Sequence, residues 1–368
     1  MTAALPQVFA GQAFAGRSVL VTGHTGFKGS WLSIWLQALG ARVTGYALAP
    51  PTSPSNFEAC GVRGLLAGHH LADLRDRASL EAALQAAAPE VVFHLAAQPI
   101  VRESYANPRE TFDVNVMGTV NLLEAVRAAA RPCVVLVITS DKCYENREQI
   151  WGYRECDALG GHDPYSASKG AAEIVVSSYR RSFFPPQRLR QHAVKVATAR
   201  AGNVIGGGDW AKDRIMSDVV RHLQAGQPVP VRSPGAVRPW QHVLEPLGGY
   251  LTLAARMLQS DDPAWCDAWN FGPASGEEVP VCQLVELFVR AWGNGAWQDM
   301  SDSKAPHEAG VLRLCIDKAI DQLGWRPRWS VAEAVRRTAE WFRRFYASSS
   351  PDALAACRED IEAYENRS

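Results

Sequence analysis

The sequence has no surplus of either charge, no Cys-x-x-Cys, no long apolar run, no internal repeat and no low-complexity tract. Each absence excludes a class. Its 38 basic residues balance 38 acidic ones, which argues against a general nucleic-acid binder, since such proteins carry positive charge to displace counterions. The longest strongly apolar run is 134–138, far short of the roughly 18 residues of a membrane span. The first basic residue is Arg17, and no basic segment leads into an apolar one at the N-terminus. No secretory signal is read, and a cytoplasmic protein is expected. The eight cysteines, at 60, 133, 143, 156, 266, 282, 315 and 357, show no zinc-finger spacing to one another or to histidine. A chain of 368 residues buries a core without staples, so free thiols are expected rather than disulfides. Its length, at about 100–200 residues per domain, points to two or three lobes.

What is present is alternation. Residues 18–22 form a β-branched apolar run, ending in a glycine-rich turn. An amphipathic stretch at 30–39 closes at Gly40, and a second apolar run follows at 42–46. The pattern continues with a helix at 80–88, a strand at 91–95, a helix at 113–130, a strand at 134–138, a helix at 165–183 and a strand at 194–199. Buried strands separated by helices predict an α/β fold, a doubly wound parallel sheet of Rossmann type. After about residue 205 the texture changes to short segments rich in Pro and Trp. The expected division is a nucleotide-binding domain over 1–205 plus about 240–258, a smaller substrate-binding lobe over 206–239 and 259–350, and a charged, helical C-terminal tail over 351–368.

Gly23-x-x-Gly26-x-x-Gly29 follows the first strand and opens a helix. Such a turn lets backbone approach a pyrophosphate, which the N–H groups of the helix end then hold. The set expected at a dinucleotide is Gly23, Thr25, Gly26, Phe27 and Gly29, with Asp73 and Leu74 after the third strand and Ala96 after the fourth. The acidic residue that ordinarily grips the ribose about 20 positions on is missing, because no Asp or Glu precedes Glu58. Arg42 and Lys28 are basic groups that would suit a 2′-phosphate, so these residues leave NAD and NADP both open. Asp73 reads equally as an adenosine contact or a helix cap.

Tyr165-Ser-Ala-Ser-Lys169 opens a helix after Pro164. One helical turn separates phenol from ammonium, which favours the phenolate and suits proton transfer at a carbinol. The strand at 134–138 runs into Ser140-Asp141-Lys142. Strand ends of a parallel sheet face the ligand crevice, so these three are expected beside Tyr165. On their own, Asp141 and Lys142 also read as a solvated ion pair.

Together these motifs resemble the extended short-chain dehydrogenase/reductase family. The longer strings Gly23-His-Thr-Gly-Phe-Lys-Gly-Ser-Trp-Leu32, Thr139-Ser-Asp-Lys-Cys-Tyr144, Trp151-Gly-Tyr-Arg-Glu155, Asp163-Pro-Tyr-Ser-Ala-Ser-Lys169, Arg200-Ala-Gly-Asn-Val-Ile-Gly-Gly-Gly-Asp-Trp210 and Arg238-Pro-Trp-Gln-His-Val243 resemble its hexose-nucleotide 4,6-dehydratases. Those generally carry Thr-Asp-Glu where this chain has Ser140-Asp141-Lys142, and the lysine is similar to the branch acting on CDP-glucose. One departure is Ala49, where relatives often have Asp before Pro-Pro-Thr.

The resemblance implies NAD as cofactor and dehydration of CDP-D-glucose to CDP-4-dehydro-6-deoxy-D-glucose. It implies Tyr165 as base for the 4-hydroxyl, Ser140 bound to the same oxygen, Lys169 on the cofactor ribose, Asp141 as acid for the 6-hydroxyl and Lys142 as base at carbon 5. These roles call for a raised Asp141 pKa and a lowered Lys142 pKa. Arg238 is the candidate for the diphosphate, with Asn203 and Gln98 at diphosphate and sugar. Arg102 and Arg200 serve as well, or form structural ion pairs, and Trp151 and Trp210 are pocket walls or lobe packing. Helices 113–130 and 165–183 pair across a two-fold in this family, implying a homodimer, with no nucleic-acid or membrane partner. Competing readings are an epimerase, which needs no Asp141-Lys142 pair, a simple dehydrogenase, and a non-catalytic NAD(P) sensor, which usually lacks the tyrosine or lysine.

Overall fold

The structure, a computed structural model, describes residues 11–301 and 310–366. Seven parallel strands form the central sheet: β1 (Ser18–Thr22), β2 (Arg42–Ala47), β3 (Gly68–Leu71), β4 (Val91–His94), β5 (Cys133–Ile138), β6 (Val194–Ala201) and β7 (Ala268–Phe271). Their order is β7-β6-β5-β4-β1-β2-β3. The chain winds outward from β1 to β3, returns to β4 beside β1, then winds the other way. That reversal opens a crevice at the C-terminal ends of β1 and β4, where ligands of such sheets bind.

β1 and β5 are buried along their whole length, as strands covered on both faces must be. Alternate residues feed two cores. Val19, Val21 and Phe93 join one with Trp31 and Trp35, while Leu20, Val92 and Val135 join the other with Leu122 and Val126.

α1 (Phe27–Ala38) starts inside the glycine turn, earlier than the amphipathic pattern shows, because Gly26 supplies an extended cap. α2 (Arg77–Ala87) is capped by Asp76, which accepts the Ser79 N–H at 3.1 Å. The helix expected over 113–130 is a π-helical turn, Asp113–Met117, leading into α3 (Gly118–Ala129). α4 (Pro164–Ser182) starts on Asp163, which accepts the Ser166 N–H at 2.9 Å.

Beyond β6 the second region is built from α5 (Ile215–Gln224), α6 (Leu244–Gln259), α7 (Val281–Trp292), α8 (Val331–Ala347) and short strand pairs. α6 packs back on β5 and β6. Ala268–Phe271, which the sequence reading gives to the smaller lobe, pairs with β6 instead and completes the sheet. Four residues with a central tryptophan are too short for periodicity to mark them as sheet. α9 (Ala353–Glu365) is no loose tail: its fully buried Tyr364 donates to Glu245 at 2.9 Å and meets Trp35 edge-on at 5.6 Å. All eight cysteines are free thiols, as expected, and Cys60 and Cys357 touch at 3.7 Å. No helix among the described residues is long and apolar enough to cross a membrane.

Candidate active site

The glycine turn is shaped by close approach. Gly23 has φ +76°, and a Cβ there would lie 2.7 Å from the Ala96 nitrogen. A Cβ on Gly29 would lie 2.1 Å from the Gly23 carbonyl oxygen. Side chains at either position would push turn, α1 and the β4 loop apart. Thr25 donates to the Leu48 carbonyl at 2.9 Å, tying the turn to the end of β2. Gly26 caps α1 without a side-chain bond, so the first N–H groups of the helix, from Phe27 on, stay open. Bare backbone, open donors and a positive helix end suit a dinucleotide pyrophosphate.

The two basic candidates for a 2′-phosphate are placed elsewhere. Arg42 is exposed at the start of β2, and the crevice lies at the other end. Lys28 lies against the Tyr250 ring, its Nζ 5.9 Å from the centroid, where the charges of Arg214, Asp141 and Lys169 act on it. Desolvation pushes its ammonium down to about 7. Asp73 is not a helix cap, since Asp76 fills that place. It follows β3 at the crevice edge, its carboxylate holds Arg75 at 2.6 Å and its carbonyl takes the Tyr46 hydroxyl at 2.7 Å. Leu74 is buried beneath Gly118.

At the end of β5, Ser140 caps a 3₁₀ turn over Asp141–Cys143, accepting the Lys142 N–H at 3.2 Å. Its hydroxyl donates to Asp141 Oδ1 at 2.9 Å. Asp141 is 2% exposed, and its Oδ2 has no hydrogen-bond partner among the described residues. Burial raises its pKa, against the opposing pull of Lys142, Ser140, Arg238 and Lys28. That is the direction a general acid needs. Lys142 stands half-buried beside it.

Tyr165 and Lys169 sit one turn apart at the start of α4, with the ammonium 6.0 Å from the ring centroid. Burial pushes the phenol up to about 12, while the Ser140 hydroxyl pulls it down. The acidification expected from Lys169 is not present here: desolvation lowers the ammonium itself to about 8, and desolvation of the phenol dominates.

Asn203 follows β6, with its carbonyl accepting the Gln241 N–H at 3.1 Å. A Cβ on neighbouring Gly202 would lie 3.2 Å from Asp141 Oδ2, which brings this loop against the acid. Arg238 is buried, donates to the Gly310 carbonyl at 3.2 Å and bears on Asp141. Gln98 braces its own loop, with its amide engaged by Thr111 at 2.8 Å and by the Ile100 N–H at 2.5 Å. Arg200 is structural, paired with Glu173 at 2.8 Å with both side chains buried. Arg102 forms an exposed pair with Asp213 at 3.6 Å. Trp210 packs among Trp341, Phe342 and Phe345 and donates to Tyr346, while Trp151 is 61% exposed. Trp210 therefore serves packing of the second region.

The sequence reading missed Asn115 and Tyr250. Asn115 rides the π-helical turn and clasps Gln98 to Ser168, the neighbour of Lys169. Such turns often mark functional sites, but no sequence pattern announces one. Tyr250 of α6 is fully buried, lies where Asp141 and Tyr165 act on it, and has a hydroxyl without a partner among the described residues.

Comparison with known proteins agrees with this geometry. The family model for GDP-mannose 4,6 dehydratase matches residues 20–338. The CDP-glucose 4,6-dehydratase of Salmonella typhimurium is 48% identical over 349 residues, covering 95% of this chain and 96% of its own. The dTDP-glucose 4,6-dehydratase of Streptomyces antibioticus is 31% identical over 275 residues, covering 74% and 75%. The solved UDP-glucose 4-epimerase of Thermus thermophilus, a complex with NAD, is 26% identical, with TM-score 0.73 over 88% of this chain and 98% of that one.

Proposed function

We propose, for a chain that belongs to the GDP-mannose 4,6 dehydratase family of extended short-chain dehydrogenases/reductases, that it converts CDP-D-glucose to CDP-4-dehydro-6-deoxy-D-glucose and water with bound NAD. The observation that carries this reading is a buried acid of raised pKa next to a lysine, Asp141-Lys142, on the loop that faces Tyr165. An epimerase needs only the tyrosine and lysine of α4. An elimination also needs an acid and a base, and they stand together here.

Bound NAD would supply a hydride acceptor for carbon 4 and a donor for carbon 6. Gly23, Thr25, Gly26, Phe27 and Gly29 would hold its pyrophosphate, with Ala96, Asp73 and Leu74 along its path and Lys169 at its nicotinamide ribose. Tyr165 removes the 4-hydroxyl proton, and Ser140 bonds the same oxygen. The 4-ketone acidifies carbon 5, whose proton Lys142 takes and later returns. Asp141 gives its proton to the departing 6-hydroxyl through Oδ2, the oxygen that Ser140 leaves free. Arg238 and Asn203 bind the diphosphate and Gln98 the sugar.

A homodimer is part of the reading. Met117, just before α3, and Ile174 on α4 are 49% and 60% exposed, and Phe112 and Phe183 stand exposed near them. Apolar side chains on two neighbouring helices suit pairing with a second copy. Ile174→Glu is expected to shift the sedimenting species to monomer, and an unchanged dimer would place the interface elsewhere. A cytoplasmic site of action is consistent with eight unpaired thiols.

The activity test incubates the protein with NAD+ and CDP-glucose, UDP-glucose or GDP-mannose in turn. A 4-keto-6-deoxy product from CDP-glucose, without net NADH, is the expected result. Accumulating NADH, or no keto sugar from any donor, overturns it.

A further inference from the structure

Gly45 sits inside β2, where a strand is weakened by having no side chain to pack. A Cβ there would lie 2.3 Å from the His24 ring, so the glycine makes room for that ring. His24 is the second residue of the glycine turn and is fully buried. Its ring crosses β2 over Gly45 and reaches β3. There His24 Nε2 and His69 Nδ1 lie 2.7 Å apart, one ring donating to the other. Gly45 pairs in register with Val21 of β1 on one side and with His69 of β3 on the other. A single hydrogen bond thus ties the turn that follows β1 to a strand two places away.

The bond is covered and its other end is seated. Phe57, on the short helix Asn56–Ala59, is stacked on His69 with 5.5 Å between ring centroids and meets His24 edge-on at 5.4 Å. On the backbone side, the Ser30 hydroxyl of α1 donates to the His24 carbonyl at 3.1 Å. A Cβ on Gly29 would lie 2.7 Å from the His24 Cα. His24 therefore has its backbone pressed on the helix whose open N–H groups suit a pyrophosphate and its ring fastened to β3. The cofactor needs such a hold. No Asp or Glu precedes Glu58, so the carboxylate that ordinarily grips the ribose is missing. A turn already fixed before the dinucleotide arrives loses less freedom on binding it.

We propose that His69 is a positioning residue for the cofactor: through His24 it holds the glycine turn in its phosphate-binding form and so slows the release of NAD. It acts through the turn and not on the reacting atoms. The bond needs a donor or acceptor at the place of His69 Nδ1. The amide of asparagine stands the same number of bonds from Cβ as that nitrogen, that of glutamine one bond further, and leucine has neither group.

The inference rests on NAD binding at the glycine turn and stands whichever sugar nucleotide is the substrate. Wild type, His69→Leu, His69→Gln and His69→Asn are loaded with radiolabelled NAD+, freed of excess by gel filtration and chased with unlabelled NAD+ while retained label is counted. His69→Leu is expected to release label about three- to tenfold faster, the size of one net hydrogen bond. His69→Asn returns toward the wild-type rate, and His69→Gln does not. Keto sugar formed per loaded site at saturating NAD+ and CDP-glucose stays within about twofold in all four, because one hydrogen bond away from the reacting atoms is lost. Unchanged release from His69→Leu, or asparagine no better than leucine, overturns the brace. A fall in kcat that matches the faster release marks a general loosening of the fold and overturns it too. If His69→Leu does not fold, asparagine and glutamine decide: slower release from asparagine supports the brace, and equal release overturns it. No keto sugar from a wild type that retains its label overturns the dehydratase reading and leaves the brace to be judged by release alone.

Discussion

Two buried carboxylates lie on either side of the β5 end and behave in opposite ways. Glu173, on α4, is 3% exposed and fully partnered. It accepts the hydroxyls of Thr139 and Thr198 and the guanidinium of Arg200. Arg200 in turn donates to the Tyr144 hydroxyl at 2.8 Å, which donates to Asn270 at 2.8 Å. Asp141 is equally buried but has one hydroxyl on one oxygen and nothing on the other among the described residues. A carboxylate held by a guanidinium and two hydroxyls has its lone pairs engaged and fixes structure. One left half-satisfied in the same surroundings takes up a proton, and can give it away. The number of partners, more than burial, divides scaffold from chemistry.

That contrast can be broken from either side. Asp141→Asn keeps shape and burial but removes the transferable proton. Dehydration is expected to fall by about 10²–10⁴-fold, the usual worth of a general acid, with thermal stability held or raised. A small loss of rate, measured as keto sugar formed per unit time, would end the distinction. Arg200→Leu strips Glu173 of its charge partner and should destabilise the fold by about 3–5 kcal/mol in denaturant unfolding, as for a broken buried pair. Thr198→Val removes one donor from the same carboxylate, with an expected loss of about 1.5–3 kcal/mol. The smallest effect is on pH dependence. The folded pKa of Asp141 is raised, so the folded state holds the proton after the unfolded chain has released it. Asp141 therefore contributes stability at low pH that is lost as pH rises from about 4 through the folded pKa, with a slope of at most about 1.4 kcal/mol per pH unit. In Asp141→Asn that slope disappears. Equal slopes in the two proteins would show that Asp141 titrates as a solvated acid does.

The legible parts of the site share a physical cause. Gly23, Gly26 and Gly29 are required by close approach within a few residues, and Tyr165 and Lys169 by one helical turn, so spacing alone displayed them. The burial that holds Tyr165 up and sets Lys28 near neutrality depends on what packs above the crevice, which no local pattern carries. Lys28 shows this most clearly. Its place in the glycine motif pointed to the cofactor, while its side chain lies against Tyr250, more than two hundred residues along the chain. Arg200 and Arg238 were equivalent as sequence; one faces Glu173 and the other bears on Asp141.

By itself the sequence determined the alternation of strand and helix, the parallel sheet that follows from it, the phosphate-ready turn and the line of candidates at the end of β5. These depend on residues near one another along the chain, where backbone geometry leaves few choices. Only the tertiary structure decided that Ala268–Phe271 closes the sheet, that α9 is anchored through Tyr364, and which buried charges have partners. Those outcomes depend on desolvation and on contacts between distant segments, and both exist only once the chain has packed.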